Sequence, residues 1–293
     1  MSMNGTILRG IGGFYYVLGE DGTVSTLHAQ SKLRSKKLKP MVGDRVEFEP
    51  GQKEDDGWLK AILPRKNELV RPSVSNIDCL AITMAASVPE ADLLLVDRIL
   101  LSCRRKSIEA LIVINKCDED PDNARSLAGQ YEKSGCGVYT VSAATGVGIR
   151  ELRSALQGSI HAFAGQSGVG KSSLINALYG FSFEVGDISE KIERGKHTTR
   201  ACSLVPANGG AVLDTPGFSL LESDLLRPEE LQEYYREFET CRQECFFQTC
   251  LHDAEPGCEV KARVEAGEIP KERYARYLIL LGEMRERWSK RYD

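Results

Sequence analysis

The stretch Gly165-Gln166-Ser167-Gly168-Val169-Gly170-Lys171-Ser172 has the spacing G-x-x-x-x-G-K-[ST] of a phosphate-binding loop. Glycines at those positions let successive backbone N–H groups turn toward one point, and a helix beginning there adds a dipole that favours anions. Lys171 is then placed to reach the β- and γ-phosphates of a nucleoside triphosphate, and the Ser172 hydroxyl to bind Mg2+; Ser173 completes the candidate set. A second constellation addresses the base. In Asn115-Lys116-Cys117-Asp118, one carboxylate, Asp118, can accept from both the ring N–H and the exocyclic amine of guanine, a donor pair adenine lacks. Lys116 can lie along base and sugar, and Ser142-Ala143 ends the following strand. Together these point to GTP rather than ATP. Asp214-Thr215-Pro216-Gly217 has the form D-x-x-G, in which Asp214 would hold Mg2+ through water and the Gly217 N–H would sense the γ-phosphate. Between the two phosphate elements, Lys191 to Arg200 is polar and unpatterned, as expected of a switch segment, and Thr198 or Thr199 would cap the Mg2+.

A separate cluster, Cys245-x4-Cys250-x-His252-x5-Cys258, brings three thiols and an imidazole within 14 residues. Soft S and N donors in tetrahedral number suit a closed, structural Zn2+ site. Cys241 is an extra thiol that could compete for a ligand place, whereas Cys79, Cys103, Cys117, Cys136 and Cys202 are scattered and read as buried thiols. Nine cysteines in a chain of 293 residues with no secretory leader pattern fit metal binding and burial better than disulfides. No run of 18 apolar residues exists, so a cytoplasmic protein without membrane contact is expected. A net charge of −4 excludes a chain that coats nucleic acid everywhere but leaves room for a local basic patch.

These groups need elements to hold them. Residues 1–72 read as five short strands with glycine-bearing turns, the signature of a small barrel, for which an OB-fold is expected. Lys32, Arg34, Lys36, Lys37 and Lys39, with the aromatic strand Phe14-Tyr15-Tyr16, read either as an RNA contact or as a solvated loop beside core aromatics. From residue 73 to about 222, strands alternate with helices, which predicts a mostly parallel, doubly wound sheet with ligands at the carboxyl ends of its strands. Residues 223–293 are expected to be helical around the zinc cluster. There Pro228 to Arg242 is expected to form a helix burying Leu231, Tyr234, Tyr235 and Phe238. A last helix from Pro270 would bury Tyr274, Tyr277, Leu278, Leu281, Met284 and Trp288. Arg273, Arg276, Arg285, Arg287, Lys290 and Arg291 are left as a basic face, solvated or in contact with rRNA.

The motif order is unusual. An ordinary GTPase runs P-loop, switch Thr, D-x-x-G, N-K-x-D, S-A; this chain runs N-K-x-D, S-A, P-loop, switch Thr, D-x-x-G. The same sheet can form if the old ends are joined, here through Leu156-Gln157-Gly158-Ser159, and the chain is cut after D-x-x-G. In that order and in its flanking segments the chain resembles the circularly permuted ribosome small subunit-dependent GTPase A family along essentially its whole length. The resemblance implies an N-terminal OB-fold, a permuted GTPase domain and a C-terminal zinc domain with Cys245, Cys250, His252 and Cys258 as ligands. It further implies a monomer that acts late in maturation of the small ribosomal subunit, binds its rRNA and has its GTPase stimulated by it. A GTP-regulated switch for a protein partner, with hydrolysis incidental, is the alternative. Phe218 stands where Ras-like enzymes carry a water-orienting glutamine, so hydrolysis by the chain alone should be slow. His197 is the nearest candidate replacement, or else contacts phosphate, rRNA or nothing. Gly168 stands where potassium-activated GTPases carry asparagine, against that route of activation.

Overall fold

The computed structural model describes residues 2–29, 39–51, 56–69, 72–181, 202–214 and 226–292. Five strands open the chain: β1 (Met3–Ile11), β2 (Phe14–Gly19), β3 (Val24–Ala29), β4 (Arg45–Glu49) and β5 (Gly57–Ile62). They run in the order β1-β2-β3-β5-β4 and close as β4 pairs back onto β1, with β3 and β5 parallel. This is the expected OB-like five-stranded barrel. Period-2 alternation sends Ile7, Val17, Leu27, Val46, Phe48 and Leu59 inward, all fully buried.

A joint links the barrel to the chain that follows. There β6 (Glu68–Leu69) and β7 (Val74–Ser75) form a short antiparallel ladder. The fully buried Asp44 accepts from Arg65 Nε (2.7 Å), Ser75 Oγ (2.6 Å) and the Met41 N–H (2.8 Å). A buried carboxylate satisfied from three sides fixes how barrel and following chain meet.

Beyond it come β8 (Cys79–Ala85), α1 (Leu93–Arg105), β9 (Glu109–Asn115), α2 (Pro121–Gly129), β10 (Gly137–Thr140), α3 (Ile149–Ala155), β11 (Ile160–Ala164), α4 (Lys171–Tyr179), β12 (Ser203–Ala207) and β13 (Gly210–Asp214). The strand order is β10-β9-β8-β11-β13-β12, parallel except for β12. Along β8, Leu80, Ile82 and Met84 pack toward α1 and α2, while Cys79 and Ala81 pack toward α3 and α4. Both faces are covered, as a parallel sheet requires. β12 also pairs with β1 (Ser203 opposite Arg9), so barrel and nucleotide sheet are continuous.

The C-terminal region departs from expectation in two ways. Residues 228–244 are not one helix but three short 3-10 turns, Pro228–Tyr234, Arg236–Phe238 and Arg242–Glu244. The extended backbone of Tyr235 (φ −107°, ψ 95°) interrupts them, letting its ring stack on Phe238 at 5.1 Å and meet Tyr277 edge-on at 5.0 Å. Leu231, Tyr235 and Phe238 are buried as expected. Helices α5 (Glu259–Glu265) and α6 (Lys271–Ser289) follow. On α6, Tyr277, Leu281 and Met284 face the core, but Arg273 and Arg276, expected on the basic surface, are 2% and 8% exposed. Asp97 of α1 and Glu237 supply the charges that draw them in. Among the described residues no helix is long and apolar enough to cross a membrane.

Candidate functional site

β11 delivers the chain into the glycine loop at the carboxyl edge of the sheet. Gly165 (φ 133°) passes so close to β8 that an added Cβ would lie 2.0 Å from the Thr83 carbonyl oxygen. Gly170 (φ 91°) caps α4, and there a Cβ would lie 2.4 Å from Asn115 Nδ2. Both positions therefore exclude a side chain on steric grounds as well as on dihedral ones. The loop opens onto the N-terminus of α4, with Val169 buried beneath it and Ser167 and Gly168 exposed. Lys171 Nζ donates to the Gly165 carbonyl at 2.9 Å and to the Gln166 carbonyl, and burial lowers its pKa. An ammonium that, among the described residues, is held by neutral carbonyls in a half-buried site is a ready anion partner.

The base-reading residues converge on that loop. Asn115, 2% exposed, donates from Nδ2 to the Val169 carbonyl at 2.9 Å and accepts at Oδ1 from the Ala143 N–H at 3.1 Å. Its side chain therefore staples the P-loop to the Ser142-Ala143 turn. Ser142 is fully buried and accepts at Oγ from the Thr145 N–H at 3.0 Å, which shapes that turn. Lys116, with φ 61°, donates to the Val88 carbonyl, while Asp118 is exposed at the loop tip. Gln166 does not face the phosphate space: its Oε1 accepts from the Asp92 N–H at 2.9 Å. The loop between β8 and α1, which carries Val88 and Asp92, thus shapes the site without a motif of its own. Its only sequence signal is the helix cap at Asp92, whose side chain accepts from the Leu95 N–H.

Asp214 ends β13 beside β11, with Oδ1 buried and no hydrogen-bond partner among the described residues. Burial raises its pKa from 3.8 to about 6. An orphaned, half-buried carboxylate oxygen in a nucleotide site is what a hydrated Mg2+ would satisfy. Ser172, on the first turn of α4, is half-buried. His197, Thr198, Thr199, Gly217 and Phe218 lie outside the described residues.

The ligand atoms of Cys245, Cys250, His252 and Cys258 all lie within 4.8 Å of one another. His252 Nδ1 is 3.6 Å from Cys245 Sγ and 3.4 Å from Cys258 Sγ, and those two sulfurs are 4.0 Å apart. Tetrahedral Zn2+ with bonds of about 2.3 Å to sulfur and about 2.0 Å to nitrogen needs edges of roughly 3.5–3.8 Å, so the set fits. His252 Nε2 pairs with Gln232 Oε1 at 2.9 Å, which fixes the tautomer that leaves Nδ1 to a metal. Gln232 had no signal in the sequence. Cys241 stands apart from the set, its thiol directed at the Phe238 carbonyl.

A family model described as RsgA GTPase matches residues 62–224, and one described as RsgA N-terminal domain matches residues 4–59. Among curated relatives, the "Small ribosomal subunit biogenesis GTPase RsgA" of Caldanaerobacter subterraneus subsp. tengcongensis is 44% identical, with 99% of this chain and 98% of the relative covered. The protein of the same name from Geobacillus kaustophilus is 43% identical over 97% of this chain and 98% of its own. The crystal structure of YjeQ from Thermotoga maritima superposes with a TM-score of 0.84 at 35% identity, covering 97% of this chain and 99% of that one. YloQ, described as a circularly permuted GTPase, superposes with a TM-score of 0.82 at 34% identity over 98% and 96% of the two chains. By permuted sheet, barrel and sequence alike, this chain belongs to the RsgA GTPase family.

Proposed function

We propose that this chain hydrolyses GTP to GDP and phosphate when stimulated by the small ribosomal subunit, acting in late maturation of that subunit and binding its rRNA. The observation that carries the reading is the Asn115 staple, which brings a guanine-selective loop against a phosphate loop. The relatives' shared name supplies the subunit. In this reading the chain divides into a barrel (1–72), a permuted GTPase domain (73–222) and a zinc-binding domain (223–293).

The loop from Gly165 to Ser173 cradles the phosphates. Asp118 reads the guanine edge, Lys116 lies along the base, and Asn115, Ser142 and Ala143 set the pocket wall. Lys171 leaves the Gly165 and Gln166 carbonyls to neutralise charge on the β- and γ-phosphates. That is where charge develops as the phosphoryl group transfers. Ser172 and Asp214, with Thr198 or Thr199, hold Mg2+, which when bound neutralises phosphate charge; the Gly217 N–H reports the γ-phosphate. With Phe218 in the water-orienting position, His197 is the residue left to orient the attacking water. Cys245, Cys250, His252 and Cys258 hold one structural Zn2+. Phe14, His28 and Trp58 stand opposite one another on β2, β3 and β5, with ring centroids 4.5 and 5.7 Å apart. An exposed aromatic row on an OB-like barrel supports contact with unpaired rRNA bases. A cytoplasmic monomer fits this role.

The test is GTP turnover with and without purified small subunits, with ATP and large subunits as controls. A large rise confined to GTP plus small subunits is expected. GTP binding with no rise would leave the nucleotide site and remove the ribosomal role.

A further inference from the structure

Two features of the P-loop and of α6 are left unexplained by nucleotide binding alone. Gln166 turns its side chain away from the phosphate space and onto the Asp92 N–H at 2.9 Å. Asp92 is the N-cap of α1, holding the Leu95 N–H at 2.9 Å. One turn further, the fully buried carboxylate of Asp97 takes Arg273 on Oδ1 and Arg276 Nε on Oδ2 at 2.6 Å, both from α6. Arg273 Nε goes on to Glu237 at 2.6 Å, and Tyr131 donates to Asp97 Oδ1 at 2.9 Å. Along the same helix, Arg98 pairs with Glu283 and Arg104 donates to the Tyr234 carbonyl. Leu101 of α1 lies in the C-terminal core rather than in the core of the sheet. One helix of 13 residues, about 20 Å long, therefore joins the P-loop to the zinc-bearing region without passing through the covalent exit after β13.

The junction has a reason to respond to nucleotide. Lys171 Nζ donates to the backbone carbonyl of Gln166, the residue whose side chain holds the α1 cap. Phosphates that draw Lys171 away change the hydrogen bonding of that peptide. The far end is not fully satisfied either: among the described residues, Glu237 Oε2, one Arg276 nitrogen and the Tyr235 hydroxyl are buried without hydrogen-bond partners. A buried network short of partners is one that a small shift can rearrange.

We propose that Gln166 is a positioning residue through which α1 couples the P-loop to the Asp97–Arg273–Arg276 cluster. Phosphate occupancy then tightens α6, and α6 in turn biases the P-loop. Reciprocity follows because coupling between two binding equilibria is symmetric. This rests on the GTP-binding reading above.

The experiment is amide hydrogen exchange on the full-length zinc-loaded chain. It is run without nucleotide and saturated with GDP or a non-hydrolysable GTP analogue, with saturation established by titration on the same samples. In the native chain, nucleotide is expected to slow exchange in α1 and around Arg273–Tyr277 by about fivefold or more. Q166M and R276M should each abolish that ratio, and the double variant should add nothing further, as for residues in one chain of contacts. A merely structural role would speed α6 equally with and without nucleotide and leave the ratio intact. That outcome, or a native α6 indifferent to bound nucleotide, overturns the proposal. No guanine-nucleotide binding at all would instead sink the functional reading, and this one with it.

Discussion

At the scale of single residues, Asn115 and Asp214 show two opposite ways in which a site side chain meets the protein around it. Asn115 divides its amide between the Val169 carbonyl and the Ala143 N–H, so its part is to hold two loops in register. Asp214 is the opposite case, with an oxygen that is buried and has no hydrogen-bond partner among the described residues. Because burial lifts its pKa from 3.8 to about 6, the folded chain holds this proton more tightly than the unfolded chain does. The stability tied to the proton is therefore present below about pH 4 and is lost as the pH rises through 6. Asp214→Asn, studied without nucleotide or metal, should be more stable than the native chain at pH 8. The difference should be about 1–2 kcal/mol once the group's partial exposure is discounted, or about 2–6 °C in Tm. The gap should close as the pH falls to 4. The same variant should lose Mg2+-dependent GTP turnover. Equal melting temperatures at pH 8 would mean that the carboxylate is solvated in the folded chain.

At the scale of elements, what the sequence made legible was what is local. The runs that became β8, β9 and β11 are apolar and β-branched or aromatic, and the loops after them carry their motifs within a few residues. β12 escaped notice because Ser203-Leu204-Val205-Pro206-Ala207 includes a proline and lacks alternation. The helix expected over 228–242 gave way to 3-10 turns because packing of Tyr235 and Phe238 on Tyr277 outweighs helix propensity. Arg273 and Arg276 were misplaced on the surface because their partner, Asp97, lies 176 and 179 residues earlier in the chain. No local pattern carries that pairing. The Cys3His set was legible because all four donors fall within one short stretch, and the structure separates Cys241 from them. Cys241→Ser should keep one Zn2+ per chain and cost about 1–3 kcal/mol, because it puts a hydroxyl in the C-terminal core where the thiol is buried. Cys258→Ser, by contrast, should lose the metal and the order of the helix it caps. Metal analysis of the two purified variants decides. Zinc loss in Cys241→Ser would return that residue to the ligand set.

At the scale of the whole molecule, the permutation leaves one helix serving two cores. Val96, Ile99, Leu100 and Cys103 of α1 pack on the sheet, while Leu101 packs in the C-terminal core. The buried Asp97–Arg273–Arg276 cluster ties the same pair of bodies. Removing either partner from such a cluster is costly, so the sheet and the C-terminal region should unfold together. The barrel differs. Among the described residues its own core is six buried side chains, and it meets the sheet through the Asp44 joint and the Arg9–Ser203 pairing. A unit of about 60 residues with so small a core is marginal alone. The chain's two tryptophans report on these bodies separately, Trp58 on β5 of the barrel and Trp288 near the end of α6. In urea, Trp288 fluorescence (read in a Trp58→Phe chain) should change in one step with the far-UV signal of the helices. Trp58 fluorescence (read in a Trp288→Phe chain) should change at lower denaturant. Chelating the zinc should move the Trp288 transition earlier and split it from the helical signal, because the C-terminal core would then lose the cross-link between Cys245, Cys250, His252 and Cys258. A Trp288 transition that precedes the helical signal with zinc still bound would show that α1 does not unite the two cores.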